Sequence, residues 1–165
     1  AKCRSFNPHH YIRHLLAAND DFELILICWG PGQVSRVHNH DASHCWLTCL
    51  EGAVEERHFA TLPTSRRNTG NVHPTAELPG TESIEQVCPE LKLTHTSLLT
   101  EGDTGYINDG ICLHSVGCGP DVLSPGAVTL HLYSPPIRKV KLYEAEEGRV
   151  VTRVPGFFTV RGHRT

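Results

Sequence analysis

The chain has 165 residues, which is the length of one domain with a single hydrophobic core, and we expect residues 1–165 to form one domain. Its formal net charge is −3 and it has no run of lysine or arginine, so we do not expect nucleic acid as a partner. Apolar residues make up 39%. The longest uninterrupted apolar run, residues 24–29, is far shorter than the roughly 20 residues of a membrane-spanning helix, so we do not expect a membrane partner either.

The first predicted element is ambiguous, and those that follow it are strands. Residues 11–19, "YIRHLLAAN", fit either a short helix or an extended segment. Beyond them, short runs of β-branched, aromatic and aliphatic residues, separated by glycine and Asx turns, predict strands at residues 22–29, 43–52, 53–59, 92–99 and 127–134. Many short strands joined by turns indicate an all-β fold, either a sandwich or a barrel.

Residues 61–90 interrupt this pattern. They are rich in Pro, Thr, Gly and Asn and have no hydrophobic period. We therefore predict a surface insertion between two β halves of one domain, with no chemistry assigned to it.

The seven cysteines do not form a recognisable pairing pattern. Their number is odd and no CxxC motif is present, which argues against a disulfide framework and a structural zinc knuckle; they are residues 3, 28, 45, 49, 88, 112 and 118. This usage is typical of a reducing compartment, so we expect a cytoplasmic protein, and we expect it to be a monomer.

The stretch "HNHDASHC", residues 38–45, is the first candidate site. In a strand, positions i and i+2 project from one face, so His38 and His40 can present two imidazoles to one metal ion. Two solvated surface histidines would give the same sequence.

The spacing around these histidines is more specific. Gly32, His38, His40, Cys45 and Gly52 follow one another with five, one, four and six intervening residues. This arrangement resembles the first cupin motif, in which the position of Cys45 usually holds a metal-binding glutamate. The resemblance implies a cupin, a jelly-roll-like β-barrel.

Two later segments add polar candidates. His114 follows the turn "INDG", where the second cupin motif delivers its last histidine; the alternative is a histidine satisfied in the core. In "TLHLY", alternation puts Thr129, His131 and Tyr133 on one strand face, where hydroxyl, imidazole and phenol can form a hydrogen-bonded chain that orients the phenol. The alternative is a face exposed to water.

Taken together, the chain resembles the cysteine dioxygenase family of thiol dioxygenases. Four blocks carry the resemblance over nearly the whole length: "YIRHLL", "ILICWGPGQVSRVHNHDASHC", "YINDGICLH" and "HLYSPP". The departures are the length of the 61–90 segment and Thr129, which stands where a serine is common.

The resemblance implies an active site built on iron. Fe(II) would be held by His38, His40 and His114. Cys45 would be joined to Tyr133 through a thioether. Catalytic roles fall to Tyr133, Cys45 and His131. Arg13 would bind the substrate carboxylate with Tyr11 nearby, whereas without the resemblance Arg13 is an ordinary surface cation.

The implied reaction adds both atoms of O2 to the sulfur of L-cysteine and gives cysteine sulfinic acid. A dioxygenase of 3-mercaptopropionate or cysteamine is the nearest alternative, and Arg13 with Cys45 favours cysteine. A zinc or manganese cupin would require a carboxylate ligand at position 45, and a non-catalytic metal-binding cupin is the third alternative.

Overall fold

The computed structural model describes residues 3–62 and 83–165, and every regular element in these ranges is a β-strand. The strands of the first half are β1 (Ile12–Ala18), β2 (Glu23–Trp29), β3 (Gln33–Val34), β4 (Val37–His38), β5 (His44–Glu51), β6 (Ala53–Thr61) and β7 (Ser83–Val87). Those of the second half are β8 (Leu91–Thr100), β9 (Thr104–Ile107), β10 (Leu113–Cys118), β11 (Ala127–Ser134), β12 (Val140–Glu144), β13 (Arg149–Arg153), β14 (Thr159–Val160) and β15 (His163–Arg164).

The strands form two sheets. The first sheet has the order β15-β14-β1-β2-β11-β5-β9. The second has the order β7-β13-β12-β4-β10-β6-β8, with β3 also paired to β10. Because β5 and β6 are consecutive in sequence but lie in different sheets, the chain crosses between the two sheets at their connection, as sandwich and jelly-roll folds do.

The core lies between the inner faces of the sheets and follows the period-2 pattern of the sequence. In β2, Ile25 and Ile27 are buried while Leu24 and Leu26 are half-buried on the outer face. Residues from both sheets, among them Trp29, Leu47, Val54, Ile107 and Val116, complete the core. In β11 the inward positions are Thr129, His131 and Tyr133, so the interior carries a polar row beside its apolar centre.

The predicted strands are confirmed at 23–29, 44–51, 53–61, 91–100 and 127–134. The first candidate segment is extended and contains no helix, because β1 pairs along one edge of β2, with Ile12 opposite Cys28 and Ala18 opposite Glu23. No described segment forms a helix of the length and apolarity needed to cross a membrane.

Within the predicted insertion, residues 83–87 form β7, which pairs with β13. Residues 63–82 lie outside the described ranges, so the insertion and the single-domain assignment stay predictions.

The two glycines of the cupin-like motif, Gly32 and Gly52, have a positive φ but different surroundings. Gly32 has φ +77° and a Cβ built on it would meet nothing within 4 Å. Gly52, in the turn between β5 and β6, has φ +74° and its Cβ would lie 2.2 Å from the carbonyl oxygen of Gly126. Both positions need glycine for backbone conformation, and Gly52 also needs it for space.

These two glycines predict different losses of stability. Gly32→Ala should lower the free energy of unfolding by about 1 kcal/mol, from the positive φ alone. Gly52→Ala should lower it by about 3 kcal/mol or more, because the added methyl group also displaces backbone. Urea denaturation of both variants measures the difference, and equal losses would contradict the crowded turn.

Candidate metal centre

Three histidines converge at one place on the inner face of the second sheet. His38 on β4 is the register partner of His114 on β10, and His40 follows two residues after His38. One ring nitrogen from each lies within 4.8 Å of those of the other two. The ring centroids are 4.7 Å apart for His38 and His114, 4.6 Å for His40 and His114, and 5.3 Å for His38 and His40.

His40 lies beyond the end of β4, and Asp109 holds its backbone in place. Asp109 Oδ1 accepts a hydrogen bond from the N–H of His40 at 2.6 Å, and Oδ2 accepts one from the N–H of Ala42 at 3.0 Å. Burial alone would raise the pKa of Asp109, but hydrogen bonding to His40 and Ala42 lowers it to about 2. The ionised carboxylate of the "INDG" turn thus fixes the loop that carries His40.

Two of the three imidazoles have a defined tautomer. His38 Nδ1–H donates to the carbonyl oxygen of Arg36 at 2.8 Å, and His114 Nδ1–H donates to Glu56 Oε1 at 2.8 Å. Because these partners only accept, Nε2 of each ring carries a free lone pair. Such outer hydrogen bonds are how proteins orient histidine ligands of metals.

The third imidazole has polar atoms that nothing satisfies within the described residues. His40 is fully buried and neither ring nitrogen has a hydrogen-bond partner, Nδ1 being 3.7 Å from Asp109 Oδ1. A buried polar group left this way costs about 1–3 kcal/mol, and coordination to a metal ion removes that penalty.

The cluster has the electrostatics of a ligand set. Burial lowers the pKa of His38 to about 3, with the neighbouring His40 adding to the effect, and burial places the pKa of His114 well below its usual value. The neutral imidazole is the form that binds metal. Three neutral nitrogen donors with no carboxylate fit a transition-metal ion that keeps open positions for other ligands.

The cluster borders a cavity of about 470 Å³. His38 and His114 form part of its wall, together with Tyr11, Arg13, His131 and Tyr133. The structure therefore gathers around one cavity side chains that the sequence analysis selected from four separate segments.

Arg13 projects into this cavity from β1. Its Nη1–H donates a long hydrogen bond of 3.4 Å to the carbonyl oxygen of Gly156, and its guanidinium lies 5.1 Å from the ring centre of Phe157. Within the described part of the chain, no carboxylate lies within 4.0 Å of it. Tyr11 packs on Trp29 with ring centres 4.5 Å apart.

The polar row of β11 forms a connected chain. Trp29 Nε1–H donates to Thr129 Oγ1 at 2.8 Å, and Thr129 Oγ1 is 2.8 Å from His131 Nε2. His131 Nδ1 is 3.3 Å from the Tyr133 hydroxyl oxygen. Burial, together with the charge of Arg13, lowers the pKa of His131 to about 3, so the imidazole in the middle of the chain is neutral at pH 7.

Cys45 and Tyr133 are direct cross-strand neighbours on β5 and β11. Both are buried. Burial raises the pKa of the Cys45 thiol to about 12, and burial together with Cys45 raises the pKa of Tyr133 well above 10. Thiol and phenol are therefore both protonated at neutral pH and lie side by side in the first sheet.

Comparison with known proteins identifies the family of this chain. A family model described as cysteine dioxygenase type I matches residues 1–146. The chain is 32% identical to cysteine dioxygenase type 1 of Danio rerio over 165 residues, which are 99% of this chain and 71% of that protein. It is 32% identical to the protein of the same name in Homo sapiens over 161 residues, or 97% and 68% of the two chains.

The chain belongs to the cysteine dioxygenase type I family. The predicted family is thereby confirmed. The structure shows the histidine cluster and the cavity of this cysteine dioxygenase family member. The catalytic and binding roles of the individual residues stay predictions.

Solved structures support the fold of this family member at low sequence identity. A Klebsiella pneumoniae protein with a double-stranded β-helix domain has a TM-score of 0.50 and 18% identity, covering 85% of this chain and 90% of its own. A Bacillus halodurans protein has a TM-score of 0.51 and 15% identity, covering 78% and 74%. The double-stranded β-helix is the cupin architecture, so the predicted cupin fold is confirmed.

The sequence analysis missed three residues that orient the site: Asp109, Glu56 and Trp29. Asp109 was visible only as part of a turn. Glu56 had a usable signal, because alternation in "AVEERHF" puts it on the same strand face as Val54, an apolar and therefore inward residue. Trp29 had none, since its indole N–H donates to Thr129 on the neighbouring strand β11, which is 100 residues away in sequence.

We expect His114→Ala to lose metal. Removing one of three nitrogen donors should lower the affinity for Fe(II) by more than the tenfold to hundredfold typical of outer partners. His131→Ala is the matched control, because His131 is an equally buried histidine of the same cavity outside the cluster. Iron content after anaerobic loading and desalting measures both, and an iron-replete His114→Ala protein would remove His114 from the ligand set.

Proposed function

We propose that this chain is an iron-dependent cysteine dioxygenase, which adds both atoms of O2 to the sulfur of L-cysteine and forms cysteine sulfinate. One observation carries the proposal: in a chain of the cysteine dioxygenase type I family, a cluster of three histidines, which includes no carboxylate among the described residues, borders a cavity lined by Arg13.

The family implies a non-haem iron, and the cluster fits it. His38 and His114 would each bind through Nε2, and the buried nitrogens of His40 that have no hydrogen-bond partner would supply the third donor. When bound, ferrous iron supplies adjacent coordination positions for substrate and dioxygen and the redox chemistry that joins them.

The ligand set selects the reacting end of the substrate. Three neutral imidazoles leave the full charge of a divalent ion uncompensated, and Cys45 occupies the position where a carboxylate would reduce it. A cationic centre of this kind favours a thiolate, because a metal ion deprotonates a coordinating thiol. A small aminothiol can then bind through sulfur and amine together.

Arg13 selects the other end. Its guanidinium lies in the cavity with one weak backbone contact, so its remaining N–H groups can bind a carboxylate through two parallel hydrogen bonds. Arg13 thereby distinguishes cysteine from cysteamine, which has no carboxylate. Tyr11 lies on the same wall of the cavity and supports the substrate backbone.

The series of hydrogen bonds from Trp29 through Thr129 and His131 to Tyr133 sets the direction of the phenol proton. Because the Trp29 indole N–H donates to Thr129 Oγ1, the Thr129 hydroxyl can donate to His131 Nε2. Neutral His131 then carries its proton on Nδ1 and donates to the Tyr133 oxygen. The Tyr133 O–H is left to donate into the cavity, toward the reacting oxygen or sulfur.

Cys45 and Tyr133 are proposed to form a thioether. A bond forms between Cys45 Sγ and a ring carbon of Tyr133, while one S–H and one C–H bond break. The two protons and two electrons pass to dioxygen, which is the oxidant of the proposed reaction. The register pairing of the two residues supports the bond, since directly opposed side chains on antiparallel strands have Cβ atoms about 5 Å apart.

The alternatives have less support. The curated relatives are named cysteine dioxygenases, which favours cysteine over 3-mercaptopropionate and cysteamine. Cys45 at the usual glutamate position speaks against a zinc or manganese cupin, and family membership favours an enzyme over a metal-binding protein without activity. A cytoplasmic monomer stays a prediction, with the seven free cysteines consistent with a reducing compartment.

The iron-loaded protein should consume one O2 for each cysteine sulfinate formed. Arg13→Ala should weaken the preference for cysteine over cysteamine, measured as the ratio of the two kcat/KM values. The expected loss is equivalent to about 2–4 kcal/mol, because a charge-assisted bidentate contact is removed. Arg13→Lys should recover only part of this preference, since an ammonium cannot make two parallel bonds. An unchanged preference in Arg13→Ala would place the carboxylate contact elsewhere.

Turnover should convert the chain to a cross-linked form. Formation of the thioether removes two hydrogens, so its mass should fall by about 2 Da, and peptides containing Cys45 and Tyr133 should stay joined after reduction. Cys45→Ser should bind iron without this change, whereas Cys49→Ser, which alters another buried thiol on β5, should still cross-link. Separate, unmodified Cys45 and Tyr133 peptides after turnover would exclude the thioether.

A further inference from the structure

A row of histidines extends from the metal centre across the second sheet. His38 on β4 is opposite His114 on β10, His114 is opposite His58 on β6, and His58 is opposite His95 on β8. His114 is 1% exposed, the His58 side chain 19%, and His95 is exposed to solvent. Two members of the row are proposed ligands, and the other two have no role in the proposed reaction.

Glu56 joins the inner part of this row. Its side chain is 4% exposed, and its Oε1 accepts the hydrogen bond of His114 Nδ1–H at 2.8 Å. The same oxygen is 3.3 Å from His58 Nε2, which is buried and has no aligned hydrogen-bond partner among the described residues. One carboxylate oxygen therefore lies between a proposed ligand and a second imidazole.

The opposite sheet confines this carboxylate. A Cβ built on Gly105 of β9 would lie 3.2 Å from Glu56 Oε2, closer than ordinary van der Waals contact. Glu56 Oε2 thus lies close to Gly105 on the opposite sheet, which leaves the carboxylate little room on that side.

We infer that Glu56 is the positioning residue of the iron site, acting through His114, and that His58 sets the strength of that contact by sharing Glu56 Oε1. The inference rests on the proposed function for the identity of the metal. A carboxylate that accepts Nδ1–H fixes the imidazole and makes Nε2 a stronger donor. His58 Nε2, 3.3 Å from the same oxygen, attracts its electron density electrostatically and weakens this effect without an aligned hydrogen bond.

The test measures Fe(II) affinity by anaerobic competition with a chelator, and the absorption bands of the Co(II)-substituted protein. Glu56→Ala should weaken Fe(II) binding by about tenfold to hundredfold and shift the Co(II) bands. Glu56→Gln should give a smaller loss, because its amide oxygen still accepts from His114 without the charge. Wild-type affinity and bands in a folded Glu56→Ala protein would overturn the inference.

His58 gives a change of opposite sign. His58→Ala frees Glu56 for His114 and should tighten Fe(II) binding by roughly two- to fivefold. His95→Ala is the matched control, because His95 is exposed and lies beside the His58 ring, at 5.6 Å between centroids, so its loss should leave affinity and bands unchanged. Weaker binding in His58→Ala would show that His58 supports the site instead of sharing its carboxylate.

Gly105→Ala keeps the test open where Glu56→Ala fails to fold. The added methyl group presses on Glu56 Oε2 without changing its charge, so the Co(II) bands should shift, and unchanged bands and affinity would count against the inference.

Measuring activity separates failure of this inference from failure of the proposed function. A wild-type chain that binds iron but does not oxidise cysteine refutes the function, whereas an active wild type with Glu56 variants of full iron affinity refutes the positioning role.

Discussion

The site depends on the register of antiparallel strand pairing. Residues directly opposite on neighbouring antiparallel strands share a face and lie about 5 Å apart. That constraint places His38 beside His114 in one sheet and Cys45 beside Tyr133 in the other. If either pairing slipped by one residue, one member of that pair would turn to the opposite face of its sheet and the site would be lost. Most of the site residues therefore lie on the sheets themselves, whereas His40 and the Asp109 carboxylate that holds it lie on loops.

Burial without charge is the second property of the centre. The imidazoles of His38, His114 and His131 line one cavity, and burial keeps His38 and His131 neutral by lowering the pKa of each to about 3. The same burial keeps the Cys45 thiol and the Tyr133 phenol protonated. Arg13, Arg36 and Arg153 contribute positive charge to the wall of this cavity, which favours an anionic substrate. The buried carboxyl group of Glu56 is hydrogen-bonded to His114 Nδ1 and is not among the residues that line the cavity.

Much of the fold and of the candidate site followed from the sequence, for identifiable reasons. Strands such as 23–29 and 127–134 alternate or carry continuous apolar runs, the spacing of His38, His40 and Cys45 resembles the first cupin motif, and four sequence blocks resemble one family. The two-residue strands β3 and β4 could not be predicted, because a pair of residues has no period and is held by contact with β10. The first segment stayed ambiguous until its pairing with β2 was known. Glu56, Asp109 and Trp29 act on residues distant in sequence, so their partners are set by topology, which local patterns do not encode.

The neighbouring positions of Cys45 and Tyr133 also bear on the durability of the protein. A covalent bond between β5 and β11 would close a loop of roughly 90 residues, and in the chain-entropy model a cross-link of that span restricts the unfolded chain by about 4–5 kcal/mol. Since both residues are already opposed in the folded sheet, the bond would form with little distortion of the native backbone. Unlike a disulfide, it would survive a reducing environment. Protein that had turned over would then have a higher free energy of unfolding than newly made protein. Its resistance to denaturation would therefore report whether it had been active.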